Sequence, residues 1–217
     1  VAYRAAIGNG LSLFSKRATG LEREKNILTI PTSSMDDVIP NSWSLDDKQI
    51  LFTRQTASGS HLELLPVAGG EPTRFLTSKG SERNGQISPD GKWAAYASDE
   101  SGNWEIYVTS FPSAAGKWQV SRGSGTEPRW RGDGKEIFYI GPGGMLMAVP
   151  VNGESTFETG TPAPLFQIRG RAPISSTDIF TYDVAKDGKR FLVNRYVKPE
   201  HVAPLTILLH VQSGATP

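Results

Sequence analysis

The chain has 217 residues, 23 basic and 22 acidic, with three histidines and no cysteine. Charges so nearly balanced create no global field for nucleic acid or an anionic membrane, and without cysteine there is neither a disulfide nor a thiolate site. No apolar run approaches the roughly 18 residues of a membrane span, so no nucleic-acid partner and no span in this chain is expected.

Val1-Ala2-Tyr3-Arg4 matches Leu51-Phe52-Thr53-Arg54 and reads as the second strand of a four-strand unit that lacks its first. Leu11–Phe14 and Asn26–Ile30 continue that unit, and Pro31–Asp37 loops to an inner strand near Val38–Trp43. The second unit runs on through Ile50–Thr53, His61–Val67 and Thr73–Leu76. A third takes Asn84–Ser88, Trp93–Ala97, Trp104–Ser110 and Lys117–Val120, and a fourth takes Glu127–Arg131, Glu136–Ile140, Met145–Val151 and Pro164–Ile168. The fifth holds Ile179–Val184, Arg190–Arg195 and Pro204–Val211, followed by a polar tail from Gln212.

One turn links the first two strands of each unit. In Ser88-Pro89-Asp90-Gly91-Lys92, Pro89 presets φ, the Asp90 carboxylate can accept backbone N–H groups, and Gly91 takes the left-handed conformation without steric cost. That suits a hairpin built on a type I turn with a bulge. Related turns carry Asp46, Asp133 and Asp187, and the aligned aspartates are separated by 44, 43 and 54 residues. A repeat of roughly 40–45 residues with four short strands is the signature of a β-propeller blade. The expected fold is therefore an all-β propeller of four-stranded antiparallel blades, about five in this chain. It forms one propeller domain or a segment of one, with repeats near 1–37, 38–80, 81–124, 125–176 and 177–217, the terminal ones incomplete. The longer spacing before Asp187 places an insertion within Gln167–Ser176, a loop at a channel mouth where binding sites form. An open blade face of several hundred Å² leaves on the order of 10 kcal/mol of burial unclaimed at about 25 cal/mol per Å². The terminal blades are therefore expected to associate, as a homo-oligomer or as a ring completed by further blades.

The segments Ile87-Ser88-Pro89-Asp90-Gly91-Lys92, Ala95-Tyr96-Ala97-Ser98-Asp99 and Trp104-Glu105-Ile106-Tyr107-Val108 resemble the TolB-type, WD-like propeller repeat. Gly116–Ser121, Glu127-Pro128-Arg129-Trp130 and Gly134–Tyr139 are similar to the propeller that follows the kinase domain in many bacterial eukaryotic-like Ser/Thr kinases, as are Met145–Val149 and Pro204–Leu209. The resemblance implies a sensor or protein-binding module, commonly periplasmic or otherwise outside the cytoplasm. It departs at Leu45-Asp46-Asp47 and Lys186-Asp187, where proline is absent; Asp47 must then stand where glycine stands elsewhere. Nothing in the chain resembles a kinase Gly-rich or catalytic loop.

The Asp turns are read as structural, each serving its own hairpin and none a metal. Trp43 and Trp130 share a repeat position filled elsewhere by Ile87 and Val184, which marks packing between blades. Trp104 and Trp118 read as semi-exposed packing on outer strands. His61, His201 and His210 show neither HxxxH nor HExxH spacing, and there is no G-x-S-x-G elbow. No catalytic residue, metal site or cofactor is assigned. The candidate ligand-binding residues are those entering the inner strands at the channel: Asp36, Asp37, Glu82, Arg83, Glu127, Arg129 and Asp178. Opposite charges gathered there could hold a peptide, a carboxylate or a cation, or pair among themselves. The expected function is non-catalytic binding of a protein, peptide or small ligand. The alternatives are a propeller lyase or lactonase with a cation in the channel, or an accessory domain of a larger kinase or peptidase.

Overall fold

The structure is a computed structural model that describes residues 1–7, 10–19, 22–31, 36–168 and 180–194. Its strands form successive small antiparallel sheets, the blades of a β-propeller. The first blade contains β1 (Ala2–Ile7), β2 (Gly10–Ser15) and β3 (Lys25–Ile30), and the second contains β4 (Asp37–Trp43), β5 (Gln49–Thr56), β6 (Gly59–Pro66) and β7 (Thr73–Arg74). The third contains β8 (Glu82–Ile87), β9 (Trp93–Ser98), β10 (Glu105–Ser110) and β11 (Trp118–Gln119). In the fourth, β12 (Thr126–Trp130), β13 (Glu136–Ile140) and β14 (Met145–Asn152) are followed by β15 (Glu158–Thr159) and β16 (Ala163–Gln167), which both pair with β14. β17 (Tyr182–Val184) and β18 (Phe191–Val193) belong to the fifth. The chain thus has the all-β propeller architecture of about five blades that its repeat predicts. No helix among the described residues is long and apolar enough to cross a membrane.

The turn chemistry explains why each blade starts the same way. Asp46, Asp90, Asp133 and Asp187 accept the backbone N–H two residues on, at 3.2, 3.1, 3.0 and 3.0 Å. The residue after each aspartate is left-handed: Asp47 at φ 59°, Gly91 at 73°, Gly134 at 72° and Gly188 at 71°. Asp47 therefore does take the glycine position, as the missing proline and glycine require.

Period-two alternation then distributes the side chains between neighbouring blades. On β5, Ile50 and Phe52 join the core with Leu13, Ile30 and Val38 of the first seam, whereas Leu51 faces the third blade with Leu62, Ala94 and Tyr96. On β9, Ala95 and Ala97 turn the other way, toward Trp130, Ile137 and Tyr139. On β13, Phe138 and Ile140 meet Tyr182 of the fifth blade. β5, β9 and β13 are thus each the shared wall of two cores, and among the described residues no core is closed by one blade alone.

Two expectations shift in detail. The outer strands Thr73–Leu76 and Lys117–Val120 shorten to two residues each. The outer edge of the fourth blade splits in two, because the eight-residue β14 is long enough to seat β15 against Val151 and Asn152 and β16 against Met145–Ala148. The expected strand Pro204–Val211 lies outside the described residues, as does most of the expected insertion at Gln167–Ser176.

Candidate ligand-binding face of the inner strands

The inner strands β4, β8 and β12 carry a shared irregularity. Register slips between Pro40 and Ser42, between Arg83 and Gln86, and between Thr126 and Arg129. Asn84 and Glu127 sit in the bulges at φ 56°, uncommon for residues with a Cβ. The bulge turns the polar side chain that follows it sideways along the wall. Gln86 Nε2 donates to Asn41 O at 2.9 Å, and Arg129 Nη1 donates to Gln86 Oε1 at 2.9 Å. Arg129 Nε lies 3.5 Å from Asp183 Oδ1. A polar rail therefore runs from the second blade to the fifth.

Two guanidinium groups stand on aromatic rings along this wall. Arg83 lies over Trp104 at 3.8 Å, and Arg129 lies over Phe180 at 3.6 Å. Both are near enough to act on the Glu127 carboxylate. Glu127 is buried and accepts from Thr181 N at 2.6 Å and Thr181 Oγ1 at 2.9 Å, while Tyr182 donates its hydroxyl to Glu127 O at 2.9 Å. Burial pushes the Glu127 carboxyl above the usual carboxylate range, against the pull of the Thr181 donors and the two arginines. Burial also lowers Arg129, opposed by Asp183, Tyr182 and Glu127. Arg129 Nε is buried and makes no hydrogen bond among the described residues. An acceptor brought to it would satisfy a desolvated charged donor, which is costly to leave unmade.

The seven candidate residues separate into groups. Arg83, Glu127 and Arg129 come together as described. Asp37 pairs with Arg4, and Asp36 lies 3.4 Å from Arg54, which also holds Glu63 at 3.0 Å; these ion pairs sit at the seam of the first two blades. Glu82 is fully buried between the second and third blades, bonded by the Ser78 hydroxyl and by Leu62 N at 3.4 Å, with His61 at 3.7 Å and Arg74 at 3.9 Å. Asp178 lies outside the described residues.

The Ser78–Glu82–His61 grouping is not a nucleophilic triad. The carboxylate stands between serine and histidine, whereas a triad needs the imidazole in contact with the hydroxyl. Among the described residues, no three His, Asp or Glu side chains converge as a metal-ligand set. Trp130 and Phe157 fill the seam between the third and fourth blades with Trp93 and Trp118, in keeping with a packing role. Trp104 does more than pack, since it is the platform under Arg83.

Gln86 and Asp183 were not among the candidates, yet the repeat contains them. With Trp43, Ile87, Trp130 and Val184 aligned, the preceding position reads Ser42, Gln86, Arg129 and Asp183, polar in all four.

No family model matches the chain, and no curated protein matches it in sequence. Solved structures do match its shape. TolB from Acinetobacter baumannii aligns over 87% of this chain and 44% of its own at 18% identity, with a TM-score of 0.63. An oligogalacturonate lyase in complex with manganese aligns over 87% of this chain and 56% of its own at 12% identity, with a TM-score of 0.58. A nidogen/laminin complex aligns over 75% of this chain and 60% of the matched chain at 14% identity, with a TM-score of 0.52. The chain spans 44 to 60% of the length of these neighbours. What they share with it is the fold, a β-propeller of the kind seen in TolB. Kinase association rests on the sequence resemblance alone.

Proposed function

We propose that this propeller is a binding module without catalytic activity, and that its ligand is a protein segment or peptide presenting a carboxylate to Arg83 and Arg129. The observation that carries this is Arg129: buried, stacked on Phe180, and holding an Nε–H that among the described residues has the Asp183 carboxylate at 3.5 Å but no hydrogen bond. A flat guanidinium already fixed on a ring loses little freedom when it grips a carboxylate, and its fork matches the two oxygens. The fold supports the reading, because the blades are occupied in holding one another and the inner wall is the surface left for recognition. Propeller neighbours that are named for a protein complex, such as nidogen with laminin, are consistent with it.

The test is calorimetric titration with a short acidic peptide of Glu and Asp at low and moderate salt. Binding that weakens about tenfold, ~1.4 kcal/mol, in Arg129→Gln supports the proposal. Binding unchanged in both Arg129→Gln and Arg83→Gln, or no binding at all, overturns it. Association through the terminal blades belongs to the same proposal, and a single monomeric species in light scattering counts against it.

A further inference from the structure

The chain holds three Asn-Gly pairs, beginning at Asn9, Asn84 and Asn152. Such a pair is chemically labile, because glycine has no Cβ to keep its main-chain nitrogen away from the preceding carboxamide. Asn9 lies outside the described residues, and the other two are placed in opposite ways. Asn84 is 2% exposed and sits in the bulge of β8 at φ 56°. Asn152 is exposed at the end of β14, where the chain leaves the sheet.

The turn at Asn152 poises its carboxamide for attack. Glu154 N donates to Asn152 Oδ1 at 3.3 Å, the same contact from two residues on that the Asp turns make. That oxygen gains negative charge when the carboxamide carbon is attacked, so the donor stands where it stabilises the transition state. Gly153 N, the attacking atom, makes no hydrogen bond among the described residues. In the Asp turns the same geometry is inert near neutral pH, since an ionised carboxylate is a poor electrophile. An open cavity of about 380 Å³, bordered by Asn152, Gly153 and Glu154, gives water access to the site. The glycine is not exchangeable. A Cβ there would lie 2.4 Å from Trp93 Nε1, which donates to Gly153 O at 3.1 Å. Close packing between the third and fourth blades therefore demands the very glycine that makes Asn152 labile.

We propose that Asn152 is a site of spontaneous deamidation. Gly153 N gives up its proton and bonds to Asn152 Cγ, and Nδ2 leaves with that proton as ammonia, which closes a five-membered succinimide. Water then opens the ring at one of its two carbonyl carbons. Breaking the bond from nitrogen to Cγ leaves aspartate. Breaking the bond from nitrogen to the main-chain carbonyl carbon leaves isoaspartate, whose backbone runs through Cβ and Cγ. Either product adds a negative charge beside Glu154. The isoaspartate also lengthens the chain just before Gly153 O, at the contact that ties this turn to Trp93.

The experiment incubates the folded chain for days in mildly alkaline buffer and follows each asparagine by peptide mass spectrometry, with electron-transfer fragmentation to separate aspartate from isoaspartate. Asn152 should convert about tenfold faster or more than buried Asn84 and than Asn103, which is exposed but precedes tryptophan. In urea the rates at Asn152 and Asn84 should converge. Asn152→Gln should stay intact, because its longer side chain would have to close a larger ring. Should that variant fold poorly, the comparison of folded and urea-treated parent chain still decides. Conversion at Asn152 no faster than at Asn84 in the folded chain overturns the proposal. So does conversion at Asn152 about tenfold slower folded than in urea, which would show that the turn shields the carboxamide. Tryptophan emission that stays constant while isoaspartate accumulates overturns the link to Trp93.

Discussion

Two acidic side chains illustrate opposite uses of a carboxylate. Asp133 is about half exposed, bonded by Arg131 Nε at 2.8 Å and by Lys135 N at 3.0 Å, and the Arg131 contact first and the Lys135 amide second hold its carboxyl down to about 2. A carboxyl held low in the folded state contributes stability above its ordinary value of 3.8, and loses it as pH falls from there toward about 2. Asp133→Asn should therefore be less stable than the parent at pH 7, with the gap narrowed at pH 2.5. The gap should be at most about 1 kcal/mol, because solvent screens an exposed pair; urea unfolding at the two pH values measures it. Glu127 runs the other way. Its carboxyl is raised by burial, so the folded state binds the proton more tightly, and stability falls as pH climbs past the ordinary 4.5 toward the raised value. Both Thr181 donors use one carboxylate oxygen, which an amide oxygen can replace. Glu127→Gln should thus gain on the parent between pH 4 and pH 7 in the same assay. A gap that moves toward the parent over that range would show that the ionised carboxylate is needed by Arg83 and Arg129 rather than tolerated.

At the scale of the strand, close approach between blades is set by small residues. A Cβ on Gly85 would come within 2.6 Å of Leu51 Cδ2 and 3.0 Å of Leu62 Cδ2, both side chains being fully buried. Gly85→Ala should cost about 1–3 kcal/mol by overpacking, and Leu51→Val should recover part of it, a non-additivity that a double-mutant cycle reads directly. The next seam depends on size instead: Phe157 meets Trp93, Trp130 and Trp118 with ring centroids 5.1 to 6.2 Å apart. Phe157→Ala should cost about 3–5 kcal/mol and collapse the near-ultraviolet circular dichroism of the tryptophans. Sequence spacing reveals the strands because the Asp turn repeats and alternation survives in β5, β9 and β13. It does not reveal Phe157, which lies in an irregular stretch with no repeat partner, nor β15, a two-residue strand defined only by its pairing. The candidate site was half legible for a similar reason. Charge at the entry to each inner strand is visible in sequence. Which way it points depends on the bulge: Glu82, before it, lies in the seam, while Gln86 and Arg129, after it, run along the wall.

Across the whole molecule, stability passes from blade to blade and should be lowest in strands whose side chains no neighbour covers. The central strands β5, β9 and β13 are walled on both faces: Phe52, Ala95 and Ile137 are fully buried. In contrast, every residue of β16 is exposed, and Leu192 in β18 is 77% exposed. In a repeat architecture each unit is stabilised mainly by its neighbours, so local opening should begin in the exposed outer strands and move inward. Native-state hydrogen exchange should therefore be slowest in β9 and β13 and faster by orders of magnitude in β16 and β18. Low denaturant should release the outer strands before the seam at Phe157 opens. If all strands exchanged at one rate with one denaturant dependence, the blades would unfold as a single cooperative unit. The additive account of seams would then fail. The substitutions at Gly85 and Phe157 would in that case lower protection everywhere, and not chiefly in the two blades that each seam joins.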